Sequence, residues 1–321
     1  MTARLGVLVP AILVGAVLVG LALPVGAGVY PIAQIVSFRG ILGLASFGVA
    51  LLLLAVPTTR RGLLPLAIAF AVGAAAQGAV LAWRSVPHES DTAEDTHDLV
   101  VLSFNTLDVV TPEELFGLVS THHADVVVLP ETSNQTGTKV AALMAQTGNP
   151  MQVYTEMGST PLVAGTTLLV GTRVGDYPNA VPLPTRFGSL RADPSDPTSS
   201  PVLVAAHPIS PGARHTMSAW REDTALIAHT CATTPGVIVA GDMNATLDHP
   251  GLRDLGPCVD AAREVGEASH GTWPSSAPSL LAAPIDHVFV DGRAWRVVGF
   301  AVLPATGGSD HRPIVATLER R

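Results

Sequence analysis

Short apolar segments in the second part of the chain repeatedly end in residues that can bind a cation or a phosphate. The segments end at SFN, LPE, AAH, GDMN and GGSDH, and their polar residues are Asn105, Glu131, His207, Asp242, Asn244, Asp310 and His311. Carboxylate and amide oxygens suit a hard divalent cation, and a histidine can contact a phosphate or move a proton. Strand ends that meet at one edge of a sheet would bring these groups together. The pattern therefore predicts one polar site at a sheet edge.

Each of these residues also has an ordinary structural interpretation when it is taken alone. Asn105 fits a turn, Asp242 fits an Asx turn before a helix, and Glu131 fits a solvated loop. His207 fits a hydrogen-bonded histidine of the core. Because five such endings in one domain would have to coincide, the joint pattern favours a site.

The segments that carry these residues are typical of strands buried inside a sheet. They are LVVLSF, ADVVVLP, SPVLVAAH, GVIVAGD, IDHVFV and RPIVATL, each short, rich in β-branched residues and bounded by Gly, Pro, Asn or Asp. The Pro- and Ser-rich stretch Asp176–Pro201 predicts surface loops.

Two helices are predicted between the strands. The first begins after Thr111, where Pro112 and Glu114 complete a capping box, and it turns Leu115, Leu118 and Val119 to one face. The second covers Met217–Cys231, with Ala219, Leu226 and Ile227 as expected core contacts. Strands alternating with helices indicate an α/β domain with layered sheets.

The first 88 residues contain neither a carboxylate nor a lysine, which is typical of a membrane anchor. Three apolar runs, Leu5–Leu23, Ile41–Val56 and Leu63–Trp83, approach the roughly 20 residues needed to cross a bilayer, the second with Arg39 reaching an interface. A cleaved signal peptide would explain only the first run. Buried helices of a soluble protein would need a solvated face, which these residues lack. We therefore expect three transmembrane helices.

The distribution of charge predicts the orientation. Arg4 precedes the first run, and Arg60 and Arg61 lie between the second and third, which favours a cytoplasmic position for those segments. Three spans then leave the C-terminal part outside the cytoplasmic membrane. From Glu89 onward 26 carboxylates meet 13 basic residues, a net −13, which argues against broad electrostatic binding of nucleic acid without a metal.

These observations divide the chain into three parts. Residues 1–86 form the expected anchor, 87–98 an acidic linker, and 99–321 a single domain. Cys231 and Cys258 are the only cysteines, and both fall in the part placed outside, where a disulfide can persist. Two unpaired buried thiols remain the alternative, because spacing alone does not show that the Cα atoms approach each other.

The motifs resemble, in type and order, those of the endonuclease/exonuclease/phosphatase family, which includes pancreatic-type deoxyribonuclease. The residues that carry the resemblance lie in VLSFNT, VVVLPET, AAHP, GDMNA, IDHVFV and GGSDHRPI. The resemblance implies a deoxyribonuclease-like four-layer α/β/β/α sandwich and a divalent metal, usually Mg²⁺, with Mn²⁺ as an alternative. The anchor adds a similarity to actinobacterial membrane members of this family that are associated with glycopeptide resistance.

The resemblance also implies which residues hold the metal and activate water. Glu131 is similar to the principal metal ligand, and Asp310 and Asn105 would complete or support that site. Asp242 resembles the carboxylate that orients or deprotonates the attacking water.

Other residues would contact the substrate phosphate. By the same resemblance, His311 is held by Asp286 and contacts the scissile phosphate, and Asn244 donates to it. His207 matches the second histidine of the nuclease and phosphatase branches. Asn105, already named for the metal, is a further candidate for binding the phosphate.

Some positions depart from the family pattern or have simpler interpretations. Leu107 stands where some DNA-cleaving members have an Asp, and Lys139 is the only lysine. Arg173 and the pair His122 and His123 are read as surface residues. His287 is read as a packing residue, and Thr272 with Trp273 either shapes the substrate mouth or is buried.

Three functional classes follow. The leading one is a metal-dependent hydrolase of phosphoester or pyrophosphate bonds that acts outside the cytoplasmic membrane on a phosphate-containing substrate, with a lipid-linked phosphate as the candidate. The alternatives are an extracytoplasmic nuclease, which the acidic domain argues against, and a non-catalytic binding module. No protein partner is predicted.

Overall fold

The computed structural model describes residues 2–55, 60–88, 98–160 and 163–321. Within them, apolar helices precede an α/β domain. The helices of the first part are α1 (Thr2–Ala22), α2 (Ile32–Ser37), α3 (Arg39–Ala55) and α4 (Arg60–Arg84). Those of the α/β domain are α5 (Pro112–Thr121), α6 (Asn134–Gln146), α7 (Met217–Thr233) and α8 (Ala261–Glu264).

Twelve strands of the described chain form two six-stranded sheets. In chain order they are β1 (Leu99–Ser103), β2 (Val126–Leu129), β3 (Met151–Glu156), β4 (Thr166–Gly171), β5 (Asn179–Leu183), β6 (Ser189–Asp193), β7 (Leu203–Ala206), β8 (Ile238–Asp242), β9 (Cys258–Asp260), β10 (Asp286–Asp291), β11 (Trp295–Val302) and β12 (Ile314–Arg320). The first sheet has the order β11-β12-β1-β2-β4-β3, and the second has β5-β6-β7-β8-β10-β9. All six strands expected from the sequence are present.

The sheets face each other and carry helices on their outer faces. Val101, Leu168, Leu203 and Val288 belong to the core between the sheets. A second core joins α5 and α6 to the outer face of the first sheet, and a third joins α7 to the outer face of the second. This arrangement is the expected α/β/β/α sandwich, and burial on both faces explains why the strands are continuously apolar.

Local signals fixed several element boundaries. The capping box at Thr111 and Glu114 is present, with Leu115 and Val119 buried below it. Cys231 in α7 forms a disulfide with Cys258 at the start of β9, their Cα atoms 6.1 Å apart. The two sulfurs thus tie the outer helix to the second sheet.

Two details of the sequence interpretation are wrong. The stretch Asp176–Pro201, expected to be loops, contains β5 and β6. β5 is a largely exposed edge strand that contains Pro182. It therefore lacks the alternation of apolar and polar residues that marks a half-buried strand. In α7 only Ile227 of the three expected core residues is buried, and Met217 and Trp220 take the places expected for Ala219 and Leu226.

The apolar helices of the first part pack together, with α4 against both α1 and α3. Within the described residues one helix, Arg61–Arg84, is long and apolar enough to cross a membrane, while Gly6–Ala22 and Arg39–Ala55 are apolar but shorter. The lengths therefore support one candidate span rather than the three expected. Most of the expected linker, residues 89–97, lies outside the described residues.

Two arginines of these helices, Arg39 and Arg84, are buried against the α/β domain. Arg39 and Arg84 are 3% and 4% exposed, and both form ion pairs with Asp248 of the α/β domain. The helices therefore contact the domain directly.

Candidate active site

The strand directions place the predicted polar residues at one edge of the sandwich. β1 and β2 are parallel, as are β7 and β8, so each pair of C-terminal ends lies together. β10 runs antiparallel to β8 with Asp286 paired to Asp242, and β12 runs antiparallel to β1 with Ile314 paired to Ser103. The residues just before β12 therefore lie beside the end of β1.

Asn105 connects the two halves of the site. Its Nδ2 donates to Glu131 Oε1 and to Asp242 Oδ2, each at 3.1 Å, while its Oδ1 accepts from the Leu107 amide. Only 1% of Asn105 is exposed. The amide therefore holds two carboxylates from different sheets at a fixed separation.

Glu131 has a strained backbone that directs its carboxylate into the site. Its φ is +49°, in the left-handed region that non-glycine residues rarely adopt. The Glu131 carbonyl accepts from the Thr106 hydroxyl and the Asp108 amide, which stabilise this conformation. Burial raises the pKa of Glu131, an effect that the hydrogen bond from Asn105 opposes. Strain of this kind concentrates at functional sites.

His311 and Asp286 form the expected pair. His311 Nδ1 lies 2.8 Å from Asp286 Oδ2, and Nε2 lies 3.6 Å from Asp242 Oδ2. Burial alone would lower the pKa of His311, but the carboxylates of Asp286 and Asp242 raise it to about 10. The imidazole is therefore protonated at neutral pH and presents a positive charge to the site.

Asp242 is almost completely buried, at 1% exposed. Burial raises the pKa of its carboxyl group, against the effect of the positive His311. Its Oδ1 accepts from the Asn244 amide at 2.8 Å. The carboxylate is thus oriented from one side and more basic than an ordinary aspartate.

His207 and Asn244 lie beside this group. His207 Nε2 is 3.9 Å from Glu131 Oε1 and 3.8 Å from Asp242 Oδ2, and neither ring nitrogen has a hydrogen-bond partner among the described residues. Burial and the nearby His311 lower the pKa of His207 to about 3, so its ring is neutral. Asn244 adopts φ +47°, and its Nδ2 donates to the Pro208 carbonyl at 3.0 Å.

Trp273 is a member of the site whose role the sequence left open. Its indole Nε1 donates to Asp310 Oδ2 at 2.8 Å, and Asp310 Oδ1 is buried without a hydrogen-bond partner in the described chain. A tryptophan in the loop GTWPS needs an acceptor for its N–H when it is buried. This requirement is the feature of the sequence that could have identified Trp273 as a member of the site.

The residues present fit a divalent cation. Glu131, Asp242, Asp286 and Asp310 bring four carboxylates into a region where His311 supplies the positive charge, and one Asp310 oxygen lacks a partner. A buried excess of negative charge of this kind calls for a cation. Oxygen donors favour a hard ion.

Two groups of side chains could hold that cation. The first group is Asp242, Asp286 and His311. Each offers one ligand atom, and these three atoms lie within 4.8 Å of one another. In this group His311 Nδ1 is already bonded to Asp286 Oδ2, at 2.8 Å. The second group is the one predicted from the sequence, Glu131 and Asp310, with Asn105 bonded to Glu131.

The remaining candidates lie outside this group. Arg173 is exposed and pairs with Asp125, and His122 forms the C-cap of α5. His287 is buried, with its Nδ1 2.7 Å from Asp260 Oδ2 and its Nε2 3.0 Å from the Ala245 carbonyl. It therefore stabilises the structure behind the site.

The four-layer fold and this group of carboxylates, amides and histidines define a metal-dependent phosphoesterase. A model of the Endonuclease/Exonuclease/phosphatase family matches residues 102–311, and the chain belongs to that family. Its members are enzymes of this class, as is this chain. A search of curated proteins finds no match.

Solved structures show the same fold at low sequence identity. An endonuclease/exonuclease/phosphatase from Beutenbergia cavernae is 18% identical, with a TM-score of 0.52 over 70% of this chain and 72% of the other. A humanized TDP2 of D. rerio is 17% identical, with a TM-score of 0.53 over 69% and 98%. The catalytic domain of human Nocturnin is 16% identical, with a TM-score of 0.51 over 70% and 94%.

Proposed function

We propose that this protein is a membrane-anchored, Mg²⁺-dependent phosphoesterase that acts outside the cytoplasmic membrane on a lipid-linked phosphate or pyrophosphate. The observation that carries the proposal is the position of a buried phosphoesterase site directly beside apolar helices. The proposal also agrees with the resemblance to actinobacterial membrane members of the family.

The side chains support hydrolysis of a phosphoester. A divalent cation, when bound by Glu131 and Asp310, supplies charge neutralisation for the phosphate oxygens. Asp242 would accept a proton from the attacking water, a role that its raised basicity supports, since burial raises the pKa of its carboxyl group. The protonated His311 can donate a hydrogen bond to a phosphate oxygen, and Asp286 holds the imidazole in place.

The surface of the helical part, which consists of α1 to α4, supports attachment to a membrane. Large apolar side chains are exposed along all three long helices: Leu8, Val9, Ile12, Leu13, Val17, Leu44, Phe47, Leu51, Leu52, Leu54, Leu64, Ile68, Val72 and Trp83. Soluble proteins rarely expose a continuous apolar surface of this extent. The candidate span is Arg61–Arg84 of α4, and the shorter apolar helices α1 and α3 pack against it.

The positions of the arginines support an outward-facing catalytic domain. The domain contacts Pro24, which follows α1, the N-terminal end of α3 and the C-terminal end of α4. Arg4, Arg60 and Arg61 lie towards the opposite ends of these helices, where the positive-inside bias favours the cytoplasm. The Cys231–Cys258 disulfide agrees with an oxidising compartment.

Exposed apolar side chains of the α/β domain support a lipid-linked substrate. Leu107 and Val109 follow Asn105 in the loop after β1 and are 42% and 51% exposed. Leu280 is 52% exposed and lies beside the start of α3. A Cβ added at Gly40 would be only 1.9 Å from the Leu280 carbonyl oxygen. Apolar residues at these places suit a hydrophobic chain better than a nucleic acid.

The proposal is tested by comparing substrates with the full-length protein in nanodiscs. We expect Mg²⁺- or Mn²⁺-dependent phosphate release from a polyprenyl pyrophosphate, loss of activity with chelator, and no nicking of plasmid DNA. Nicking at physiological salt without turnover of the lipid would favour the nuclease. No turnover of any phosphoester would favour a binding module.

A further inference from the structure

Two arginines from different apolar helices meet at one aspartate of the α/β domain. Arg39 of α3 donates through Nε to Asp248 Oδ2 at 2.7 Å and through Nη2 to Oδ1 at 2.6 Å. Arg84 of α4 places Nη2 2.8 Å from Asp248 Oδ1. The Asp248 carboxylate therefore joins two helices to the domain at once.

This cluster is buried, and its three charged side chains are joined by ion pairs, although Arg84 Nε has no hydrogen-bond partner among the described residues. The side chains of Arg39, Arg84 and Asp248 are 2–5% exposed. Arg39 also donates to Gln77 Oε1 at 2.6 Å and to the Ala22 carbonyl at 3.2 Å. Burial alone would raise the pKa of Asp248, but the two arginines hold it below its usual range. Because desolvating three charges is costly, such a cluster specifies one docking geometry between its parts.

Asp248 lies in the loop that carries Asn244. After β8 ends at Asp242, this loop closes through a bond from the Thr246 amide to His249 Nδ1, at 2.8 Å. His249 Nε2 in turn lies 3.0 Å from the carbonyl of Ala33 in α2. Because Nδ1 accepts, Nε2 carries the proton and donates. The helical part thus holds the loop at two successive residues.

A second contact links the helices to the other side of the site. Phe38, just before α3, packs against Trp273 with ring centroids 5.9 Å apart. Trp273 is the residue that donates to Asp310. The position of this carboxylate therefore depends on a side chain that the helical part supports.

We propose that the helical part is a structural component of the active site, with Arg39, Arg84 and Asp248 as positioning residues for the loop 243–249. Phe38 supports Trp273 in the same way. The inference rests on the phosphoesterase site but not on the identity of its substrate. The inference explains why otherwise apolar helices contain Arg39 and Arg84. Membrane attachment alone would not require two buried arginines that bind an aspartate of the loop 243–249.

The test measures local hydrogen exchange and kinetics of the full-length protein in nanodiscs. In Asp248→Asn the amides of Thr246 and His249 should exchange faster, and kcat for bis(p-nitrophenyl) phosphate should fall roughly 10- to 100-fold with little change in KM. Arg61→Gln, at the far end of α4, is the control and should change neither quantity.

A triple variant separates positioning from the effect of an unpaired charge. Arg39→Gln/Arg84→Gln/Asp248→Asn leaves no buried charge in the cluster, yet it should keep fast exchange of the loop and a low kcat. Parental exchange and kcat in this variant would overturn the inference. A triple variant that does not fold would also overturn it, since the cluster would then hold the whole fold rather than the loop. If the parent turned over no phosphoester, the proposed function would fail while the exchange data still decided the inference.

Discussion

Asp242 and Asp286 lie directly opposite each other on the neighbouring strands β8 and β10, and His311 lies against both carboxylates. Two buried carboxylates at this separation would repel each other without a positive charge between them. The protonated imidazole supplies that charge.

Removing the charge of Asp286 should disable His311 without removing its hydrogen bond. In Asp286→Asn the pKa of His311 should fall, because the first carboxylate that raises it is lost. We expect kcat for bis(p-nitrophenyl) phosphate to decrease roughly 100-fold. Arg293→Gln, which breaks the ion pair of an exposed arginine with the buried Asp291 at the other end of β10, is the control. A rate for Asp286→Asn close to that of the control would remove His311 from the proposed mechanism.

Trp273→Phe should weaken metal binding. The substitution removes the N–H that orients Asp310 Oδ2, and loss of such a supporting hydrogen bond typically lowers metal affinity about 10- to 100-fold. Titration with Mn²⁺ followed by electron paramagnetic resonance measures this directly. Trp295→Phe is the matched control, since Trp295 Nε1 donates to the Gly236 carbonyl instead. Equal affinities in the two variants would show that the hydrogen bond from Trp273 to Asp310 does not support metal binding.

The strand ends and the family motifs allowed most of the fold and the candidate site to be predicted from the sequence. The strands buried on both faces were recognised because burial makes them continuously apolar. In contrast, β5 is an exposed edge strand and carries no such signal. The partners of Arg39 and Trp273 were not predictable either, since Asp248 and Asp310 are 209 and 37 positions away and meet them only through the packing of whole elements.

Reduction of the disulfide should destabilise the domain without disturbing the metal site. The Cys231–Cys258 bond closes a loop with a sequence separation of 27, for which a loss of about 2–4 kcal/mol in the free energy of unfolding is expected. Urea unfolding followed by tryptophan fluorescence, with and without reductant, measures the difference. The Cys231→Ser/Cys258→Ser variant should not respond to reductant. An identical response of parent and variant would mean that the two thiols are not paired.

The pair formed by His287 and Asp260 should make stability depend on pH. Burial alone would lower the pKa of His287, but Asp260 raises it above the ordinary value, and both ring nitrogens face acceptors. Because the pKa of His287 is raised in the folded protein, the protonated ring stabilises the fold. This contribution to the free energy of unfolding is complete below the unfolded-state pKa of about 6.5 and is lost as the pH rises through the folded-state pKa.

His287→Gln tests this dependence. At pH 6 the variant should be less stable by about 3 kcal/mol, the cost of leaving a buried charge without its partner. The difference from the parent should shrink towards alkaline pH, as measured by urea unfolding between pH 6 and pH 9. A difference that stayed constant or grew with pH would mean that His287 is neutral in the folded protein.

The central claim is that Glu131 and Asp242 perform metal-dependent phosphoester hydrolysis. The most direct measurement is the rate of bis(p-nitrophenyl) phosphate hydrolysis by the full-length protein and by Glu131→Ala and Asp242→Asn, with Mg²⁺ and with chelator. The account predicts that chelator abolishes the parental activity and that each variant loses at least about 100-fold in kcat. Full rates in both variants would contradict it.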